Sequence, residues 1–408
     1  LIMPKLGFLS ILMNAYKNGA CEDLVFAPIY IGYDHVLEEK SYLHEIEGGK
    51  KEPETFLQVI SARKFLKNRY GKIYIKFHPT ISLNNLLEKD GTRFDEMLTK
   101  DQNALCRNLG HRIINAINTV TVITPHALVA SVLLNVSKER LAYEDLLRYV
   151  EVYVQHVTLQ NADIADTLVM DHVHAVENVL EDYTSRKLIE RIDENKDGPL
   201  SQATYKINIS KRPVLEYYKN NCVSFFVPAA FTALAILEKD AFQFSASDLQ
   251  KVYLFLQDFF KYEFAFDVDK APDFYLRKTI KSFIDDAIII PHPTLPETYN
   301  ITSAGFRKLK HYSRFLKPYF ESYWVVLNYF RRNPQNGNPL KDKLKKIQTY
   351  GNRLYKNKEI DLIESLSKIN YMNGINFFTT HNVKGSEDGE GIEFYTEIIQ
   401  NYLARINH

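Results

Sequence analysis

The sequence predicts an α/β segment over residues 1–94 followed by a larger, mostly α-helical region over 95–408. Two observations carry that division. Strand and helix patterns alternate at first, and from about Asp95 onward the apolar period changes to 3.6 and stays there. The length suits two or three domains, each able to bury its own core.

In the α/β segment, the continuous apolar run over 24–31 reads as a strand buried on both faces of a parallel sheet. Over 56–68, Phe56, Leu57, Val59, Ile60 and Phe65 form one side of a helix, with Arg63, Lys64 and Lys67 between them and Gly71 as C-cap. Next, Ile73, Ile75 and Phe77 alternate with Tyr74, Lys76 and His78 until Pro79 stops the strand. The length of the connection implies that the two strands run parallel.

In the helical region, Thr124 and Pro125 have the form of an N-cap with proline at the first helical position. Ser247 and Gln250 have the spacing of a capping box. Short β-prone pieces at 288–290 and 299–301, joined by a proline-rich stretch, predict a small hairpin within 286–302. The uncharged run over 222–237 holds Pro228 and falls short of the roughly twenty apolar residues a spanning helix needs, so it reads as a buried core helix. Its rival is shallow insertion into a membrane surface. No internal repeat is visible.

Lys plus Arg total 51 and Asp plus Glu total 50, so no whole-molecule field favours a nucleic-acid partner. Helix, hairpin and helix over 249–329 have the pattern of a winged helix, but Arg277, Arg307, Lys308 and Lys310 make only a thin basic surface, and no nucleic acid is expected. Cys21, Cys106 and Cys222 form no CxxC pair, which argues against a disulfide framework and fits a reducing compartment. His172 and His174 lack a supporting cysteine or a histidine at helical spacing, so neither metal nor cofactor is expected. No nucleophile elbow, P-loop or dinucleotide fingerprint is present.

Local charge is more informative. No acidic residue occurs between Glu54 and Glu88, while Arg63, Lys64, Lys67, Arg69, Lys72 and Lys76 fall in that window, a pattern suited to an anionic partner. Lys50 and Lys51 follow two glycines that let a loop bring both cations to one end of the sheet. Pro28 removes a ladder donor from its strand, which must bulge, end or lie at an edge there. Tyr30 and Tyr33 then sit at the strand's carboxyl end, where open α/β sheets bind ligands.

These residues resemble a known family. Pro4 to Ser10, then Ala27-Pro28-Ile29-Tyr30-Ile31-Gly32-Tyr33-Asp34-His35-Val36, then Gly49-Lys50-Lys51-Glu52, then Gly71 to Phe77 before Pro79-Thr80-Ile81-Ser82-Leu83, resemble the glycerol-3-phosphate acyltransferases in order and spacing. The Pro-Ile-Tyr-Ile-Gly-Tyr run is similar to that family's fourth motif, and Glu216 to Asn221 with the apolar run after it is similar to a signature of its helical C-terminal region. The resemblance implies that residues 1–94 are the later half of an acyltransferase domain. It implies acyl transfer from acyl-CoA or acyl carrier protein to glycerol 3-phosphate, giving lysophosphatidate, at the cytoplasmic face of a membrane whose surface is a further partner. The family's general base is a His with an Asp five positions on. No histidine here has one; His172 and Glu177, and His292 and Glu297, come nearest. The catalytic pair is therefore expected upstream of Leu1, and these residues alone are expected to be inactive. Pro28 and Tyr30, by match to the motif, and Lys50 and Lys51, by charge, are the expected substrate contacts. The alternatives are transfer to dihydroxyacetone phosphate, or a non-catalytic scaffold with this fold.

Overall fold

The computed structural model describes residues 6–35, 71–136, 138–192, 202–271, 273–333, 339–383 and 389–407. Helix α1 (Leu6–Lys17) leads to short strands β1 (Val25–Phe26) and β2 (Ile29–Tyr33); β3 (Ile73–Phe77) and β4 (Ile81–Ser82) follow, then α2 (Leu83–Lys89) and α3 (Thr99–Thr119). Leu9, Met13, Leu83, Leu87, Phe94, Leu105, Cys106 and Leu109 close a small core among these elements.

The apolar run at 24–31 is not one strand buried on both faces. Ala27 and Pro28 split it, β1 pairs with β4, and β2 pairs with β3 in a separate two-stranded ribbon. The ribbon is antiparallel, with Ile29 opposite Phe77 and Tyr33 opposite Ile73. The expected parallel crossover fails because the connection leaves and re-enters at the same end of the ribbon, whereas a parallel pair needs the chain carried back to the opposite end. A ribbon of two strands also leaves one face open: Ile31, Ile75 and Phe77 are 54%, 56% and 70% exposed.

The remaining chain is helical with small sheets, built around a second, much larger core. Its order is β5 (Val122–Ile123), α4 (Pro125–Asn135), β6 (Leu141–Ala142), α5 (Tyr143–Leu159), β7 (Asp163–Ile164), α6 (Asp166–Met170), α7 (His172–Ser185), β8 (Ile189–Ile192), β9 (Thr204–Ile207) and α8 (Arg212–Asn220). Then come α9 (Val223–Glu238), β10 (Gln243–Ser245), α10 (Ala246–Phe259), α11 (Phe274–Asp285), β11 (Ile289–Pro291), β12 (Thr298–Ile301) and α12 (Ser303–Ser313). Helices α13 (Lys317–Arg332), α14 (Leu340–Lys356), α15 (Lys368–Thr380) and α16 (Gly389–Asn407) complete it. The run read as a core helix is α9, with Val223, Phe226, Phe231, Leu234 and Ile236 wholly buried. Each such side chain contributes about 1.5–3 kcal/mol on leaving water. No single described helix is long and apolar enough to cross a membrane; the α8–α9 pair passes by composition only as two helices bent by 94°.

Local signals act as the sequence implies in some places. Thr124 caps α4, its hydroxyl accepting from the Ala127 N–H, with Pro125 at the first position. The hairpin at 286–302 is β11 and β12, joined by β10 as a third strand. The capping box is displaced. It is Ser245 with Asp248, because β10 ends extended at Ser245 and the helix starts two residues earlier than Ser247 implies.

The structure contains an internal repeat that the sequence conceals. Residues from α4 to α8 and from α9 to α12 follow the same path of helix, short strand, helix, helix, hairpin and helix, the first copy adding β7 and α6 ahead of α7. In both copies the first strand pairs with the last, giving sheet orders β6-β9-β8 and β10-β12-β11. Ile189 faces Ile207 as Ile289 faces Ile301. Helix α4 packs on α5, α7 and α8 just as α9 packs on α10, α11 and α12. The turns agree as well. Lys187 and Ala287 both take the left-handed conformation (φ 57° and 51°), and the next residue's N–H, of Leu188 or Ile288, bonds back to Tyr183 or Phe283 at 2.8 Å.

Candidate functional site

The ribbon carries the motif residues, and its two faces differ because side chains alternate along a strand. Ile29, Ile31 and Tyr33, with Phe77, Ile75 and Ile73 opposite them, form the open apolar face. Tyr30, Gly32, Tyr74 and Lys76 lie on the other face, which meets the first repeat copy.

That inner face is built closely. Pro28 is buried, and its carbonyl accepts from the His78 N–H at 3.0 Å, so the position where proline removes a donor still holds the ribbon's end. The Tyr30 hydroxyl donates to the Val122 carbonyl at 3.4 Å, and burial pushes its phenol up to about 12. Gly32 is required beneath that ring: a Cβ there would lie 2.1 Å from the Tyr30 hydroxyl. Asp34 accepts from the Lys72 N–H at 2.8 Å. Lys76 pairs with Asp163 at 3.2 Å and Lys72 approaches Asp166 at 4.0 Å. Two cations from the acid-free window therefore meet carboxylates of this chain's own helical region.

Past the end of β2, His35 reaches the first copy. Its Nδ1 lies 3.7 Å from Oδ1 of Asp182, and Nε2 of His126 lies 3.7 Å from Oδ2 of the same residue. Arg186 Nη1 donates to that Oδ2 at 2.8 Å, and Nη2 donates to the Tyr218 hydroxyl. Burial lowers the His35 imidazole below its ordinary value. Burial alone would raise the Asp182 carboxyl, but His126 and Arg186 outweigh it and hold it below the usual carboxylate range. Both effects favour neutral imidazole beside ionised carboxylate.

Of the four expected substrate contacts, Pro28 and Tyr30 are neighbours in the ribbon, with Tyr30 turned towards Val122. Lys50 and Lys51 lie outside the described residues, as do the helix expected over 56–68 and Arg63, Lys64, Lys67 and Arg69. His172 and His174 open α7, where Asp171 caps the helix through the His174 N–H; His172 faces Glu151 at 3.3 Å. They do not converge. Sequence reasoning missed His126, Asp182 and Arg186, whose only local signal is the i,i+4 spacing of the last two. Elsewhere, a cavity of about 530 Å³ in the helical region is lined by Arg212, Lys219, Arg314, Lys317, Asp361 and Glu364 among others. Arg212 there clasps Glu364 at 2.7 Å, and Lys317 pairs with Asp361.

The ribbon bearing this motif is docked on a large helical region, and comparison with known proteins supplies the family. The family model described as the glycerol-3-phosphate acyltransferase C-terminal region matches residues 42–387, and the chain belongs to that family. Among named relatives, the glycerol-3-phosphate acyltransferase of Actinobacillus pleuropneumoniae serotype 5b (strain L20) is 28% identical over 59% of this chain and 29% of its own length. That of Pasteurella multocida (strain Pm70) is 25% identical over 82% of this chain and 40% of its own length. For Pseudomonas putida (strain GB-1) the figures are 27%, 57% and 28%. The chain thus spans less than half the length of these relatives.

Proposed function

We propose that the protein is a glycerol-3-phosphate 1-O-acyltransferase, transferring an acyl group from acyl-CoA or acyl carrier protein to the first hydroxyl of glycerol 3-phosphate and releasing lysophosphatidate. The observation that carries this reading is the family match, which runs through nearly all of the helical region and into the segment that joins β2 to β3. The open apolar face of the ribbon supports it. Six large apolar side chains aligned on one face are unusual on a surface exposed to water and suit a wall against which further acyltransferase-domain structure packs.

In this proposal the described residues supply that wall and its mounting. Pro28 sets the end of the ribbon. Tyr30 and Gly32 fix its height above the helical region, and Lys50 and Lys51 take the phosphate or the coenzyme. Work at the cytoplasmic face of a membrane belongs to the same proposal, with surface cations each contributing on the order of 1 kcal/mol at anionic lipid. The test is an assay of the complete enzyme with long-chain acyl-CoA and two acceptors. Lysophosphatidate from glycerol 3-phosphate is expected, with Lys51→Ala raising the apparent KM for one substrate several-fold. Transfer to neither acceptor, or to dihydroxyacetone phosphate in preference, overturns the reading.

A further inference from the structure

We propose that His35, His126 and Asp182 bind a divalent transition-metal ion of the zinc type, which clamps the end of β2 to the first repeat copy. The three side chains offer one ligand atom each, and these atoms all lie within 4.8 Å of one another.

The spacing is the first argument. Each imidazole nitrogen stands 3.7 Å from its Asp182 oxygen, too far for the 2.7–3.2 Å of a hydrogen bond. It is close to the roughly 3.4 Å that separates ligands held about 2.1 Å from a tetrahedral ion. The second argument is an orphan. His126 is 8% exposed, yet neither of its ring nitrogens has a hydrogen-bond partner. A buried polar ring without a partner is costly, and an ion between Nε2 and Asp182 gives one of the two nitrogens a partner.

The surroundings fit. Two imidazoles and a carboxylate are donors that zinc accepts, with a fourth position left to water among the described residues. Oδ1 of Asp182 faces His35, and Oδ2, which faces His126, also accepts from Arg186. Its charge opposes a cation, but Asp34 next to His35 offsets it, so the local balance before binding is negative. The Tyr183 hydroxyl donates to the His126 carbonyl at 2.8 Å, and the rings of Tyr183 and Tyr218 lie 5.7 and 5.8 Å from the imidazole, holding it in place. The second copy needs nothing of the kind: Ser282 and Phe283 stand where Asp182 and Tyr183 do. The fold of the repeat therefore does not require this cluster.

The test is calorimetric titration of the metal-free chain with zinc, repeated with cobalt to follow visible absorption. Uptake of one ion per chain is expected, with affinity falling at least tenfold in His126→Ala, in Asp182→Asn and in His35→Ala, and unchanged in His172→Ala. His35 sits at the rim, so its variant keeps the test decisive should loss of His126 disturb folding; circular dichroism reports which has happened. Absence of stoichiometric uptake, or uptake that survives all three substitutions, overturns the site.

Discussion

The two repeat copies share a path but not an occupation. In the first, the last turn of α7 carries Asp182, Tyr183 and Arg186, and these side chains face His35, His126 and Tyr218 at the edge where the ribbon docks. In the second, the matching turn of α11 carries Ser282, Phe283 and Asp286. Phe283 is wholly buried, Ser282 Oγ meets His156 Nδ1 at 3.3 Å, and Asp286 pairs with Lys308. One framework thus does two jobs: the second copy fills the core, and the first mounts the ribbon.

The largest expected effect tests the seam between the copies. His156, on α5 of the first copy, donates through Nε2 to the Phe225 carbonyl and accepts from Ser282 through Nδ1; burial pushes its imidazole down to about 4. The folded state then holds fewer protons than the unfolded chain, whose histidine titrates near 6.5. The contribution is present above about pH 6.5 and is lost as pH falls towards 4, on the order of 3 kcal/mol. Urea unfolding at pH 7 and 4.5 should show a flatter pH dependence in His156→Gln, and an unchanged slope would mean that the seam does not depend on this ring.

A smaller effect should mark the second copy alone. A Cβ at Gly305 would lie 2.0 Å from the Ile288 carbonyl oxygen, so α12 starts against the β11 turn only because glycine is there. Helix propensity alone would make Gly305→Ala stabilising by about 1 kcal/mol, but the clash with backbone outweighs it and the variant is expected to lose about 2 kcal/mol. The sign of the change in the denaturation midpoint decides. Smallest of all, Ala287→Gly should stabilise by roughly 0.5–1 kcal/mol, because alanine at φ 51° is strained and glycine is not. A loss of stability there would show that the turn is held by something other than backbone conformation.

Those turns also explain why the repeat was illegible. Its signature is backbone geometry, and the left-handed positions are filled by Lys187 and Ala287 rather than by glycine, so no punctuation marks the boundary. Signals tied to local chemistry were readable: the Thr124 cap, the hairpin around 286–302, and the apolar helix α9. Strand direction was not, since the length of the segment from Asp34 to Lys72 does not say at which end it returns. For the candidate site, the motif identified the ribbon but not the face that Tyr30 takes. His35, His126 and Asp182 are far apart in the chain: α4 packing on α7 joins the last two, and the docking of the ribbon brings His35 to them.

That docking is the central claim, and hydrogen exchange of the ribbon tests it most directly. With a chelator present, so that no metal contributes, Asp182→Asn should weaken the Arg186 pairing and the hold on His35. Amides of Ile29–Tyr33 and Ile73–Phe77 should then exchange faster, while those of β10 to β12 in the second copy keep their protection. Equal protection of the ribbon in both proteins, or a uniform loss across both copies, would contradict the account.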